Sequence, residues 1–405
     1  MKNFSFQKHG DRLLFVLAVG VLAILVILYL GRTKSQTAVP SIVFTQWWNE
    51  YLERDTLTAL AEEFESLHGN IRVILNTKSY EELQTELFNT ANAGGSPVLT
   101  GDLIALDPLW AAELIKRGLI EAEEEPSEPP VLSFINVLHY NVDILREAGF
   151  IRPPKDRNEF ITYAMAVTDK DAGRWALSMG INSSRGIYDD IYPWIWAAGA
   201  QLLIDGRPNI NSRPVIESLS FLASLDSQGF IAPGAFSADN NRKLDDFIHG
   251  RAVFMISPAR DIGFIRERMG DEAFDITSIP APVNYAGNTY LASADWTLGI
   301  HSASTQKEAA RLFSAFLAGN KTSLSANSKA IPAGLATLSG ADPFYLKVWD
   351  ISIAGETAQD FSGLTGIHEL EEIFREELAA LFAGSSSPAD TAAAIQERWE
   401  IQLKP

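Results

Sequence analysis

The stretch SIVFTQWWNEYLERDTLTALAEEFESLHGNIRVIL, residues 41–75, decides the fold class. Residues 41–45 and 71–75 are short apolar runs of the kind that form buried strands. Residues 55–68 lie between them and place five apolar side chains on one helical face, with Gly69 as a stop signal. Those side chains are Leu57, Leu60, Ala61, Phe64 and Leu67. The order strand, helix, strand predicts an α/β fold.

The same alternation continues along the chain. Ser79 and Glu82 have the spacing of a capping box, and Pro108 after Asp107 predicts that a helix starts there and ends near Gly118. Further strands are predicted at 103–106, 134–140, 252–256, 274–279 and 290–300, and further helices at 142–148, 157–167, 214–228, 241–249 and 305–318. We expect mostly parallel sheets, with a ligand beyond the carboxyl ends of the strands.

Composition narrows the class of protein. A chain of 405 residues is long enough for two lobes around a cleft. Its net charge is −18, and without the first 34 residues it holds 28 basic and 50 acidic side chains. Such an acidic surface repels phosphate backbones, which argues against nucleic-acid binding and favours a neutral or cationic ligand. The absence of cysteine excludes disulfides, thiolate zinc sites, cysteine nucleophiles and attachment of a lipid to cysteine.

The N-terminal segment has the length of a membrane span. Residues 13–30, LLFVLAVGVLAILVILYL, carry no charge and would form a helix of about 27 Å, close to the hydrocarbon thickness of a bilayer. We favour an uncleaved anchor over a cleaved signal peptide, whose apolar region is usually shorter. The basic flank predicts a short cytoplasmic tail at 1–12, an anchor or signal at 13–31 and a linker at 32–40, with the rest outside the cytoplasm.

Motifs for catalysis are missing from the sequence. There is no GxSxG, GxxxxGK[ST] or GxGxxG pattern, and the six histidines are scattered. The stretch HELEE, residues 368–372, lacks the second histidine of HExxH, and we interpret it as a solvated helix face. No spacing singles out two facing carboxylates of a glycosidase. We therefore expect a protein that is not an enzyme and that holds neither a cofactor nor a metal.

Aromatic residues follow several predicted strands. Trp47 and Trp48 come directly after the first strand, and side chains at adjacent strand positions point to opposite faces. Both indoles cannot then point into one core, so we expect at least one at the cleft. An indole buries about 150–250 Å² and can cover the C–H face of a sugar, while polar groups bind its hydroxyls. Trp110 and Trp175 are interpreted as packing residues instead.

Seven segments carry a further signal through their order along the chain: 61–87, 101–120, 137–164, 193–203, 247–262, 294–319 and AIPAG at 330–334. In this order they resemble the extracellular solute-binding proteins of family 1, the maltose-binding-like class of ABC importers. The resemblance implies a two-lobed periplasmic-binding fold (type II) that closes by a hinge and docks onto a permease. The chain departs from the family in three places: it lacks the lipobox cysteine, GDL at 101–103 stands where the family has PDV, and Arg260 stands where a tryptophan often follows a Gly-Pro turn. That arginine offers a fork of donors to a carboxylate or to dense hydroxyls.

The resemblance and the aromatic pattern together predict the ligand-binding residues. Asp102 falls on an aspartate of a family motif, while Asp107 is assigned to an N-cap. Asn141 could bind ligand or cap a helix, and Glu50 could bind hydroxyls or be solvated. The full predicted set is Trp47, Trp48, Glu50, Asp102, Tyr140, Asn141, Trp194, Trp196, Arg260 and Trp296.

The sequence thus predicts an α/β fold of two lobes, one from 41–135 and 288–335 and the other from 136–287 and 336–405, behind an N-terminal transmembrane helix. The predicted function is capture of a sugar or oligosaccharide for delivery to ABC permease subunits, by a monomer anchored outside the cytoplasm. Two alternatives remain open at this point: a membrane-anchored sensory module that reports ligand occupancy, and a glycoside hydrolase.

Overall fold

The computed structural model describes residues 40–404 except 93–99, 123–129, 284, 286, 327–341, 359–360 and 362. The predicted tail, anchor and most of the linker lie outside the described residues, as does the AIPAG segment. Among the residues that are described, no helix is long and apolar enough to cross a bilayer.

Two four-stranded sheets form the centres of two lobes. The N-terminal lobe holds the sheet β11-β3-β1-β2, and the C-terminal lobe holds the sheet β5-β8-β4-β9. The strands of these sheets are β1 (Ser41–Gln46), β2 (Arg72–Thr77), β3 (Leu103–Leu106), β4 (Asn136–Asn141), β5 (Trp175–Ser178), β8 (Ala252–Pro258), β9 (Phe274–Thr277) and β11 (Thr297–Ile300). Four short strands lie outside them: β6 (Leu203–Ile204), β7 (Arg207–Pro208), β10 (Tyr290–Leu291) and β12 (Glu356–Thr357).

Helices pack against both sheets. In the N-terminal lobe these are α1 (Thr56–Leu67), α2 (Tyr80–Asn92), α3 (Pro108–Lys116), α11 (Lys307–Gly319) and α12 (Lys321–Ala326). The remaining helices are α4 (Val142–Glu147), α5 (Arg157–Val167), α6 (Gly186–Asp190), α7 (Tyr192–Ala197), α8 (Arg213–Ser227), α9 (Asn240–Ile248), α10 (Ile262–Met269), α13 (Pro343–Ala354), α14 (Ile367–Phe382) and α15 (Pro388–Gln402).

Local sequence signals explain the helix ends. The Ser79 hydroxyl accepts from Glu82 N at 3.2 Å, and the Glu82 carboxylate accepts from Ser79 N at 3.0 Å, so the predicted capping box is present. Asp107 caps α3 by accepting from Leu109 N at 3.0 Å, with Pro108 in the first turn. Gly118, at φ 71°, follows the end of α3 as predicted. These signals are local, which is why the sequence revealed them.

The prediction of mostly parallel sheets holds for the N-terminal lobe and is wrong for the other. In the N-terminal lobe β1 is parallel to β2 and β3, and of the strands described in that sheet only β11 is antiparallel, to β3. In the C-terminal lobe β4 is antiparallel to both β8 and β9, and only β5 and β8 are parallel. The reason is that β4 continues a segment arriving from the N-terminal lobe. It therefore runs away from the junction between the lobes, whereas β8 runs towards it.

Two antiparallel segments cross between the lobes. Val131 N donates to Trp296 O and Trp296 N donates to Leu132 O, each at 2.8 Å. Two further hydrogen bonds extend the pairing: Ala294 N donates to Phe134 O at 2.9 Å, and Asn136 N donates to Ala292 O at 3.0 Å. Residues 290–300 are therefore not one strand as predicted. They form β10, a crossing segment at 292–296, and β11, which completes the sheet of the N-terminal lobe.

Candidate ligand-binding cleft

The carboxyl ends of three strands meet between the lobes. β1 is followed by Trp47, β3 by Asp107 and β8 by Arg260. Trp47 and Asp107 belong to the N-terminal lobe and Arg260 to the C-terminal lobe. Ligands in α/β sheets bind at this position, outside the carboxyl ends of the strands. The cleft is therefore where polar and aromatic side chains from the two lobes can act together.

A buried ion cluster joins the lobes. Arg185 Nη1 lies 2.6 Å from the Asp107 carboxylate, and Asp107 also accepts from Tyr80 Oη at 3.0 Å. Arg185 binds Asp189, one turn along α6, through two bonds of 3.2 Å, and Asn136 donates to Asp189 at 3.0 Å. Burial acts to raise the pKa of Asp189, but the Arg185 guanidinium outweighs it and lowers the pKa below its ordinary value. The Asp189 carboxylate is therefore held charged.

Aromatic rings pack beside this cluster. Trp48 and Trp296 are stacked at 4.9 Å with 9° between their planes, and Trp47 meets Trp296 edge-on at 5.7 Å. Tyr80 lies 5.1 Å from Trp47, and Tyr51 lies 6.1 Å from Trp296. The indoles of Trp47, Trp48 and Trp296 do converge at the lobe junction. They pack on one another, however, and are not separate platforms with a space between them.

Both adjacent tryptophans are fully buried, which corrects the argument that they could not share a core. The chain leaves β1 at Gln46, and Trp48 begins a single turn of 3-10 helix that ends at Glu50. The alternation of a strand does not apply in such a turn, because successive side chains there are about 120° apart.

Arg260 reaches from the C-terminal lobe onto this aromatic cluster. Its guanidinium lies 5.5 Å from the ring of Trp47 and 5.3 Å from that of Tyr51, within the range of cation–π attraction. The nearest carboxylate, on Asp261, is 4.0 Å away. Nε and Nη1 of Arg260 are buried and have no hydrogen-bond partner among the described residues.

Glu50 stands at the edge of the same cluster. Its side chain is exposed, yet partial removal from water and then repulsion by Glu81 raise its pKa to about 7. A carboxyl with this pKa is partly protonated near neutral pH.

A cavity of about 450 Å³ opens between the lobes next to the ion cluster. Sites for small molecules usually fall between about 300 and 1,000 Å³. One wall comes from α2 and α3 of the N-terminal lobe, and the other from Ser184, Arg185 and the start of α14. The lining residues are Gln84, Thr85, Phe88, Asn89, Leu109, Trp110, Glu113, Arg117, Ser184, Arg185, Gly366, Ile367, His368, Glu369 and Glu371. This mixture of one indole, other apolar side chains and many polar groups suits a polyhydroxylated molecule.

Residues 52–323 match the family described as bacterial extracellular solute-binding protein. The chain belongs to this family. A curated relative described as a binding protein, from Brucella abortus, is 23% identical over 253 residues, which is 56% of this chain. The match covers 60% of the length of that relative.

Solved structures show that the solute-binding protein has a two-lobed, maltose-binding-like fold. The GacH receptor of Streptomyces glaucescens, solved unliganded and in complex with acarbose, gives a TM-score of 0.74 at 17% identity, covering 90% of this chain and 98% of that one. Maltose-bound MalE3 of T. maritima gives a TM-score of 0.70 at 18% identity, covering 89% of this chain and 99% of that one. An ABC substrate-binding protein from Listeria monocytogenes, in complex with cycloalternan, gives a TM-score of 0.72 at 16% identity, covering 90% of this chain and 99% of that one.

Three predicted ligand contacts of the solute-binding protein lie away from the cleft. Asp102 precedes β3, at the edge opposite Asp107, where it accepts from Val43 N at 2.8 Å and from Ser304 Oγ at 2.5 Å. Tyr140 and Asn141 end β4, which runs away from the cleft; Tyr140 Oη donates to Asp275 at 3.0 Å, and Asn141 caps α4. Five residues of strand span about 16 Å, so these side chains do not reach the cleft.

Trp194 and Trp196 are placed in the C-terminal lobe and not at the aromatic cluster. Trp194 packs at 5.2 Å from both Phe160 and Phe221, inside the core. Trp196 packs at 5.2 Å from Tyr188, whose ring lies under the Arg185 guanidinium at 4.6 Å. Both tryptophans are on α7, a helix buried at every position, and this explains why they do not face a cleft.

The sequence reasoning missed the residues that form the cleft. Asp107 was assigned only to a helix cap, but the same carboxylate also binds Arg185. Trp110 was assigned to packing, but its ring lines the cavity. Glu371 lies in the stretch interpreted as a solvated helix face, yet it is 4% exposed. Local patterns do not reveal such roles, because the cavity is formed by segments that lie far apart in the sequence.

Proposed function

We propose that this protein captures a sugar or oligosaccharide in the cavity between its lobes and delivers it to ABC permease subunits. The observation that carries the proposal is the cavity itself, because both lobes supply its walls and Trp110, which is 3% exposed, lies in one of them. Closure of the lobes would then enclose the ligand, and the paired segments at 131–136 and 292–296 would act as the hinge. The sugar-bound proteins with the same fold support this class of ligand.

We further propose that the protein works outside the cytoplasm as a monomer, tethered by residues 13–31. We propose that the protein binds its ligand without catalysing a reaction. Among the described residues that line the cavity, Glu113 is paired with Arg117 at 2.5 Å, and Glu369 and Glu371 come from one turn of α14. A glycosidase needs two carboxyl groups free to act on the bond from opposite sides, and the ion pair of Glu113 with Arg117 argues against that role for Glu113.

The test is a binding screen of the purified protein with uncharged sugars, followed by titration calorimetry. A ligand should raise the melting temperature, because it binds the folded state alone. Trp110→Ala should weaken binding at least tenfold. Trp175→Ala, on β5 of the C-terminal lobe, is the matched control and should leave the affinity within about twofold. No shift with any sugar, together with no sugar retained after purification by mass spectrometry, would refute the proposal.

Delivery to a permease needs a separate experiment. Crosslinking of the anchored protein in native membranes, followed by mass spectrometry, should recover ABC permease subunits. Recovery of a sensor protein instead would favour the sensory alternative.

A further inference from the structure

Glu371 is a buried carboxyl on the wall of the cavity. It lies on α14, five positions after Gly366, and its residue is 4% exposed. Its Oε1 atom is buried and has no hydrogen-bond partner among the described residues. Tyr192, whose pKa is raised first by burial and then by Glu371, also has a buried hydroxyl without such a partner. A polar atom left in this way costs about 1–3 kcal/mol unless something else binds it.

The charges around the cavity argue against an anionic ligand. Both arginines in its walls are already neutralised: Arg117 by Glu113, and Arg185 by Asp107 and Asp189. Glu369 and Glu371 are the carboxyls on the wall that also contains Arg185. A ligand carboxylate placed here would find no arginine free of a carboxylate among the described lining residues.

The surroundings of Glu371 favour its neutral form. Burial, the largest effect, raises its pKa to about 8. The charged groups that act on it are Arg185 just before α6, Asp189 on α6, Asp107 before α3, and Arg375 on its own helix. The two arginines lower the pKa and the two aspartates raise it. The carboxyl therefore keeps its proton at neutral pH and can donate a hydrogen bond as well as accept one.

We propose that Glu371 sets the ligand specificity of this cavity by binding a hydroxyl group of an uncharged polyhydroxylated ligand, while the paired arginines of the walls leave no partner for a ligand carboxylate. The inference rests on the proposed function and deepens it. A glutamate in a ligand site is usually charged and accepts hydrogen bonds only. This one would act as a donor and acceptor towards a hydroxyl, which itself donates and accepts.

The experiment measures affinity by calorimetry at pH 6.5 and pH 9 for the intact protein and three variants. The probes are maltotriose, cellobiose and raffinose as uncharged sugars, oligogalacturonate as an anionic sugar, and a glucosamine dimer as a cationic sugar. Wild-type protein should bind an uncharged probe, lose at least fivefold in affinity between pH 6.5 and pH 9, and not bind oligogalacturonate. Glu371→Gln should keep the affinity within about threefold at pH 6.5 and remove the loss at pH 9.

Glu371→Ala should weaken binding at least tenfold at pH 6.5, with folding checked by circular dichroism and by the melting temperature. Glu376→Gln, on the same helix but ion-paired with Arg398 at 2.7 Å, is the matched control and should behave as wild type. An uncharged sugar that binds equally well to all variants would overturn this inference and leave the proposed function standing. Preference for oligogalacturonate or the glucosamine dimer would overturn it as well. Failure of every probe, with no sugar retained by the purified protein, would refute the proposed function itself.

Discussion

Asp107 at the end of β3 and Arg185 before α6 form an ion pair of 2.6 Å that connects the two lobes. Asp107 is fully buried, and the same carboxylate caps α3 and accepts from Tyr80. One side chain thus fixes a helix end within its own lobe and binds the guanidinium of the other. The following predictions test this relationship and the placements around it.

Replacement of Asp107 by Asn should destabilise the protein. The amide can still cap α3, but Arg185 loses one of its two carboxylates in a buried site. Removing one partner of a buried pair costs about 3–5 kcal/mol, and we expect the lower end because Asp189 remains. Urea unfolding followed by tryptophan fluorescence measures this change. Glu217→Gln removes the exposed pair with Arg213 and should cost less than about 1 kcal/mol. Equal effects of the two variants would contradict a special role for Asp107.

The free energy of unfolding should fall as pH rises from about 5 to about 8. In the folded protein the pKa of Glu371 is about 8, against 4.5 as its ordinary value, so the folded state binds more protons in this window. One such proton gives a slope of up to about 1.4 kcal/mol per pH unit. Glu371→Gln should flatten the curve, so the difference between variant and wild type should grow with pH. The measurement is urea unfolding from pH 5 to pH 9, and a constant difference across that range would disprove the assignment.

The stacked rings of Trp48 and Trp296 should be energetically coupled. Replacing either by Leu removes the stack and leaves a cavity, and each single change should destabilise the protein. A double-mutant cycle isolates the interaction of the rings, which we expect to be about 0.5–1.5 kcal/mol. A matched cycle with Trp48 and Trp399, on the distant α15, should give no coupling. A coupling of zero for the first pair would show that the two indoles pack independently.

Replacing Asp102 by Asn should lower stability without changing ligand affinity. Asp102 accepts from Val43 N and Ser304 Oγ at the edge of the sheet away from the cleft, and losing a buried hydrogen bond to a charged group costs about 1–3 kcal/mol. Chemical unfolding and titration calorimetry on the same preparation separate the two effects. Tyr140→Phe should likewise leave the affinity within about twofold. A tenfold loss of affinity in either variant would restore the sequence-based assignment of that residue.

The sequence was sufficient where short-range chemistry decides the structure. Ser79, Glu82 and Pro108 fix helix starts through bonds to their own neighbours, and the predicted βαβ unit at 41–75 is present. The sequence was not sufficient where the direction of a strand or the burial of a side chain depends on segments far away along the chain. Nothing in residues 136–141 shows that β4 runs antiparallel to β8, so Tyr140 and Asn141 were placed at the wrong edge. Likewise, the HELEE stretch does not reveal that Glu371 is buried.

The sheet of the N-terminal lobe can be completed only late in synthesis, because β11 is its last strand in the sequence. Strand β3, with all four residues buried, has its outer edge covered by β11, which leaves the ribosome only after the strands of the other sheet. Until then the nascent lobe presents an edge of unpaired backbone N–H and C=O groups able to pair with a second chain. A truncated chain that ends before Thr297 should therefore self-associate through the edge of β3. During synthesis, a chaperone bound to the nascent chain would protect this edge until β11 covers it.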